Sequence, residues 1–226
     1  MSRSRTVQIG PSILTADFLA LGVEIARAEE AGVDYIHLDV MDGRFVPNIS
    51  FGPLVVSAIR RATSLPIDVH LMIEEPERYI EEFVGAGADR LTVHAEASLH
   101  LHRTLTQIEE AGALPGVSIV PSTPLSAISE VLPMCGQLLI MLVNPGFGGQ
   151  AMIPDMLNKV ERARGLLDAL NPDCLLQVDG GVKADNIGTV VRSGADTIVV
   201  GSALYNERQR VDESMAMLRQ AIDQSR

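Results

Sequence analysis

Three short segments repeat one pattern: AGVD at 31–34, AGAD at 86–89 and SGAD at 193–196. In each, a stretch with helical periodicity ends at a glycine and an apolar run begins directly beyond it. Glycine takes the left-handed backbone that closes a helix, and the run that follows is long enough for one strand. The three glycines stand 55 (87 − 32) and 107 (194 − 87) residues apart. Those intervals are two and four multiples of about 27 residues, the size of one strand plus one helix. Parallel neighbours need a crossover of this kind, so the repeat restricts the chain to a parallel sheet covered by helices.

Periodicity along the rest of the chain agrees. Strands are predicted at 7–13, 35–41, 67–72, 90–94, 117–120, 138–143, 175–179 and 197–200. Amphipathic helical segments are predicted at 18–31, 53–62, 77–86, 99–111, 154–170 and 184–193. Eight units fit 226 residues, which predicts an α/β chain folded as a single (β/α)8 TIM barrel domain over 1–226. An open doubly wound sheet is the competing architecture, but no GxGxxG fingerprint follows the first strand.

A net charge of −11 with no basic run excludes a nucleic-acid surface. No apolar run approaches the roughly 20 residues of a membrane span, and the arginines near the amino terminus have no signal-like apolar stretch behind them. Cys135 and Cys174 lack metal-ligand spacing. These features predict a soluble, cytoplasmic protein with reduced thiols.

In a barrel the polar residues at the carboxyl ends of strands face the site. Those ends carry Ser12, His37, Asp39, His70, His94, Asn144 and Asp179. Alternation puts His37, Asp39 and Met41 on one face of their strand, with Ile36, Leu38 and Val40 on the other. A lone strand-end aspartate more often caps the next helix. Four convergent residues, His37, Asp39, His70 and Asp179, instead predict a site for one divalent metal ion, Zn²⁺, Mn²⁺, Fe²⁺ or Co²⁺. Asp68 is placed to orient a ligand imidazole, and Met41, Met72 and Met141 to keep the site dry, although each methionine alone reads equally well as core filling.

Glycine-rich turns follow the last three strands: NPGFGGQ at 144–150, DGGV at 179–182 and GSA at 201–203. Backbone amides in such turns can approach a phosphate closely. A Schiff-base lysine is not available, since Lys159 falls in a predicted helix and Lys183 lies past the seventh strand. His100 and His102 belong on a helix surface. A metal, two carboxylates and a phosphate grip together suit proton transfer beside the carbonyl of a sugar phosphate, with Asp39 and Asp179 as base and acid on opposite faces.

The segments PSIL at 11–14, HLDVMDGRFVPN at 37–48, DVHLM at 68–72, NPGFGGQ, DGGV and GSA resemble the ribulose-phosphate 3-epimerase family over about residues 9–205. The resemblance implies a metal-dependent barrel enzyme of carbohydrate metabolism that interconverts D-ribulose 5-phosphate and D-xylulose 5-phosphate. It implies His37, Asp39, His70 and Asp179 as metal ligands, Asp39 as proton acceptor and Asp179 as donor. Ser12 and His70 would touch substrate, and Gly146, Phe147, Gly148, Gly149, Gly180, Gly181, Gly201 and Ser202 would hold its phosphate. An even-numbered homo-oligomer is the family-like expectation. After the fifth strand the chain reads Val120-Pro121-Ser122-Thr123-Pro124 where the family usually has Asn-Pro-x-Thr-Pro, and GALPG at 112–116 precedes that strand. That departure keeps open an epimerase for a longer ketose such as D-allulose 6-phosphate. A decarboxylase of the same barrel is disfavoured, because its Asp-x-Lys-x-x-Asp motif is replaced by Asp39-Val40-Met41-Asp42.

Overall fold

A computed structural model describes residues 6–206 and 208–225. Residues 1–5, part of the segment read above for a leader, lie outside them. The eight strands are β1 (Gln8–Pro11), β2 (Ile36–Met41), β3 (Ile67–Met72), β4 (Arg90–His94), β5 (Leu114–Ile119), β6 (Gln137–Met141), β7 (Leu175–Asp179) and β8 (Thr197–Val200). All pair in parallel, in the order β1-β8-β7-β6-β5-β4-β3-β2. The seam between β1 and β2 is drawn together by one parallel bridge, Ser12 with His37, leaving a nearly closed (β/α)8 barrel.

Helices α1 (Leu21–Glu30), α2 (Pro53–Arg60), α3 (Ile80–Gly85), α4 (Leu101–Ala111), α5 (Met156–Leu170), α6 (Ile187–Arg192) and α7 (Val211–Asp223) cover the outside. One expected crossover is not α-helical. Between β5 and β6 the chain makes only the 3-10 turns Leu125–Ala127 and Leu132–Met134, where Pro121, Pro124 and Pro133 remove amide donors. The predicted helix at 18–31 also divides, into a 3-10 turn Phe18–Ala20, capped by Asp17, and α1. Strand β5 begins before its predicted start, at Leu114, and takes in Pro115 and Gly116 of the segment that precedes the predicted run. Gly116 is required there, since a Cβ would sit 2.2 Å from Thr92 Oγ1 on β4.

The repeated glycines do adopt positive φ: 83° at Gly32, 114° at Gly87 and 105° at Gly194. The aspartate two residues later has its own task. Asp34 accepts from the Ile9 amide at 2.6 Å, Asp89 from Ile67 at 2.7 Å and Asp196 from Leu176 at 3.0 Å. An arginine from a surrounding helix meets each one: Arg219 of α7 at 2.6 Å, Arg60 of α2 at 2.8 Å and Arg164 of α5 at 3.0 Å. Arg219 also donates to Val7 O, so the last helix is tied to the entry of the first strand. Among the described residues no helix is long and apolar enough to cross a membrane.

Candidate functional site

Strands β2 and β3 lie in register, His37 opposite Asp68 and Asp39 opposite His70. Alternation sends Ile36, Leu38 and Val40 into the main apolar cluster and turns the polar residues inward. His37 reaches Asp68 Oδ2 through Nδ1 at 2.9 Å and Asp39 Oδ1 through Nε2 at 3.2 Å. His70 Nδ1 stands 3.1 Å from the same Asp39 oxygen. The Ser12 hydroxyl donates to the other Asp39 oxygen at 2.5 Å. Asp179 closes the group from the end of β7. One ligand atom from each of His37, Asp39, His70 and Asp179 lies within 4.8 Å of the others. Two imidazoles and two carboxylates at that spacing suit a borderline divalent cation.

The charges in this group are strongly coupled. Burial alone would raise the Asp39 carboxyl, but the His37 charge and hydrogen bonds from both imidazoles hold it far below the usual range. Burial would lower His37, yet Asp39 and Asp68 together raise it well above an ordinary histidine. His70, desolvated and near two other imidazoles, falls to about 4. Asp179 goes the other way. Burial and the neighbouring Asp39 charge push it up to about 7. Two carboxylates in one site are thus held in opposite protonation tendencies.

Above this group lies a cleft lined by Ser12, Asp39, Asp179 and the methionines Met41, Met72 and Met141. The turns after β6, β7 and β8 form its other wall, with Gly146, Phe147, Gly148, Gly149, Gly180, Gly181, Gly201 and Ser202 all on its lining. Phe147 is 55% exposed at the rim. At Gly181 (φ 68°) a Cβ would meet the Met152 amide nitrogen at 2.2 Å, so the β7 turn packs directly against the β6 loop. Among the described residues the amides of Gly149, Gly181 and Ser202 donate to no protein acceptor. The exposed Asn144 contributes its carbonyl to Gln150, and His100 and His102 are exposed as expected.

Sequence reasoning placed Asp68 and missed what surrounds it. Gln177 donates to Asp68 Oδ2 at 2.5 Å and Gln137 to Asp68 Oδ1 at 3.1 Å, and Gln137 also reaches Gln177. Gln177 was detectable, since it shares a strand face with Asp179. Gln137 was not, because it precedes the apolar run that marked the strand. His94 lies in the same buried layer, with Nε2 2.9 Å from His70 Nε2 and Nδ1 3.2 Å from Glu96 Oε2. Burial would raise Glu96, but hydrogen bonds from His94, Thr123 and the Val120 amide hold it down at about 2.

Residues 8–205 match the model of the ribulose-phosphate 3 epimerase family. A ribulose-phosphate 3-epimerase of Synechocystis sp. is 54% identical over 205 residues, covering 90% of this chain and 89% of the relative. One from Bacillus subtilis is 51% identical, covering 90% and 94%, and the chloroplastic enzyme of Arabidopsis thaliana is 50% identical, covering 88% and 72%. Among solved structures, a 3-hexulose-6-phosphate synthase aligns with TM-score 0.68 at 21% identity, over 96% of this chain and 100% of that one. At that identity the likeness speaks for the barrel alone.

Proposed function

The chain belongs to the ribulose-phosphate 3-epimerase family and is an isomerase, and from that premise we propose that it interconverts D-ribulose 5-phosphate and D-xylulose 5-phosphate by two-base proton transfer at C3. The observation that carries the reading is Asp39 and Asp179 together on the lining of one cleft, grouped within 4.8 Å with His37 and His70. Relatives at 44–54% identity favour the five-carbon sugar over a six-carbon ketose phosphate.

Asp39 takes the C3 proton from one face of the ketose. Its carboxylate is kept ionised by the imidazoles and oriented by Ser12. Asp179 delivers a proton to the opposite face, and the two exchange roles in the reverse direction. His37, Asp39, His70 and Asp179 would hold one divalent metal ion, Zn²⁺, Mn²⁺, Fe²⁺ or Co²⁺. When bound there, such an ion supplies the Lewis acidity that stabilises enediolate charge. Met41, Met72 and Met141 exclude water around the reacting carbon. The substrate phosphate sits against Gly146–Gly149, Gly180, Gly181, Gly201 and Ser202, where amides without protein acceptors meet it. The cytoplasm is the compartment we assign.

We assign self-association as well. Phe18, Leu19, Val23, Ile49 and Leu54 are exposed on and beside the loops after β1 and β2, at 48–99% exposure. Sedimentation equilibrium tests this, and a monomer at micromolar concentration removes it.

Incubation with D-ribulose 5-phosphate in D₂O, followed by proton NMR, tests the chemistry. Deuterium entering C3 as D-xylulose 5-phosphate forms is the expected result. Epimerisation without solvent deuterium at C3 would refute the two-base route, and full activity after metal removal by a chelator would refute the metal.

A further inference from the structure

His94 is fully buried, packed against the Phe45 ring at 4.7 Å, and is not one of the four candidate ligands. Its two nitrogens nevertheless form a continuous connection. Nε2 faces His70 Nε2 at 2.9 Å, and Nδ1 faces Glu96 Oε2 at 3.2 Å. The other Glu96 oxygen accepts from the Val120 amide at 2.9 Å. The β5 loop that carries this amide is held from behind by Lys159, whose ammonium donates to the carbonyls of Val120, Pro121 and Thr123.

Only one arrangement of protons satisfies this line when a cation sits among His37, Asp39, His70 and Asp179. His70 points Nδ1 at the group, so that nitrogen must be bare and the proton must be on Nε2. A buried imidazole N–H needs an acceptor, and the atom in range is His94 Nε2. His94 then carries its own proton on Nδ1, where the ionised Glu96 accepts it. His37 is held in the opposite sense. Its Nδ1–H donates to Asp68, leaving Nε2 directed at the group.

We propose that His94 is a positioning residue for the candidate metal centre: backed by Glu96, it accepts the Nε2 proton of His70 and so leaves His70 Nδ1 bare for the cation. The inference rests on the metal reading of the four-residue group. It also gives the Val120 loop a role in metal affinity through Glu96, although no residue of that loop reaches the cation ligands.

The test titrates Zn²⁺ calorimetrically into chelator-treated wild type, His94→Leu and His94→Gln, with circular dichroism of each to register the fold. A long-range ¹H–¹⁵N spectrum of the Zn²⁺-loaded wild type reads the imidazole tautomers. Leucine should weaken Zn²⁺ binding about 10–100-fold, the usual effect of removing a partner behind a ligand. Glutamine, whose side-chain oxygen can accept the same proton, should recover most of that affinity. The spectrum should show His94 neutral and protonated on Nδ1. Wild-type Zn²⁺ affinity in the leucine variant, or a proton on His94 Nε2, overturns the proposal and leaves the metal reading standing. Failure of the wild type to bind Zn²⁺ overturns the metal reading and this inference with it.

Discussion

Lys159 offers a sharp test of how the back of the barrel supports its mouth. Its side chain emerges from α5 and is only 4% exposed, yet among the described residues no carboxylate accepts from it. The three ammonium donors go to Val120 O at 3.2 Å, Pro121 O at 2.8 Å and Thr123 O at 2.7 Å. Burial lowers its pKa, the mark of an ammonium that has lost water. Lys159→Met keeps most of the aliphatic stem and removes every donor. Hydrogen bonds to a charged group contribute about 1.5–3 kcal/mol each, so the gross loss is roughly 4–9 kcal/mol. Against it stands the several kcal/mol no longer spent desolvating the ammonium. The net expectation is a destabilisation of about 2–4 kcal/mol, or roughly 5–15 °C in Tm for a chain of this size. Urea denaturation followed by circular dichroism measures it through the midpoint at unchanged m. Lys159→Arg should fail to rescue, because a planar guanidinium cannot aim three donors at three convergent carbonyls. A methionine variant within about 0.5 kcal/mol of wild type would refute the reasoning.

Other outcomes follow from the site itself. Asp179→Asn should lower kcat by about 10²–10⁴ while the barrel stays folded; wild-type turnover would remove Asp179 from the acid–base pair. Because the folded pKa of Asp179 is raised to about 7 above an ordinary value of 3.8, its ionisation costs stability at alkaline pH. The metal-free asparagine variant should therefore exceed wild type by about 1–3 kcal/mol at pH 8, with the gap vanishing toward pH 4; a pH-independent gap in urea titrations contradicts this. His37, raised well above 6.5, holds a proton near neutrality that a cation must displace. Zn²⁺ binding should accordingly release protons, seen as an enthalpy that changes with buffer ionisation heat, and a buffer-independent enthalpy would tell against it. Gly181→Ala places a Cβ against the Met152 nitrogen at positive φ, and should raise KM for the sugar phosphate about tenfold or more; an unchanged KM would detach this turn from phosphate binding.

Much of the barrel was legible because two periods, two residues and 3.6 residues, alternate cleanly along the chain. Strands β2, β3, β4, β7 and β8 coincide with, or lie within a residue of, the predicted runs. The failures have local causes. At β5, Pro115 and Gly116 precede the predicted run but occupy the strand, the glycine because β4 comes too close for any side chain. Helix α7 was passed over, although Met215, Leu218 and Ile222 are buried at helical spacing. That His37, Asp39 and His70 turn to one side was readable from strand parity, and the register sets Asp39 directly opposite His70, in a group with Asp179 that could hold a metal ion. The imidazole behind His70 could not be assigned a partner in the same way. Its link to Glu96 depends on where the β4 chain turns, and its link to His70 on the stagger between neighbouring strands, neither of which is written in residue order.

The clasp of Arg219 on Asp34 joins residues 185 positions apart, and β1 finds its partner β8 near the far end of the chain. During synthesis, each strand from β3 to β8 finds the neighbour that precedes it already made. The first strand does not, and its ladder waits for β8. A truncated product lacking α7 would leave Asp34 without its arginine and the barrel unlatched at its base. A chain stopped before β8 therefore presents an open β1 edge where the barrel has a ladder.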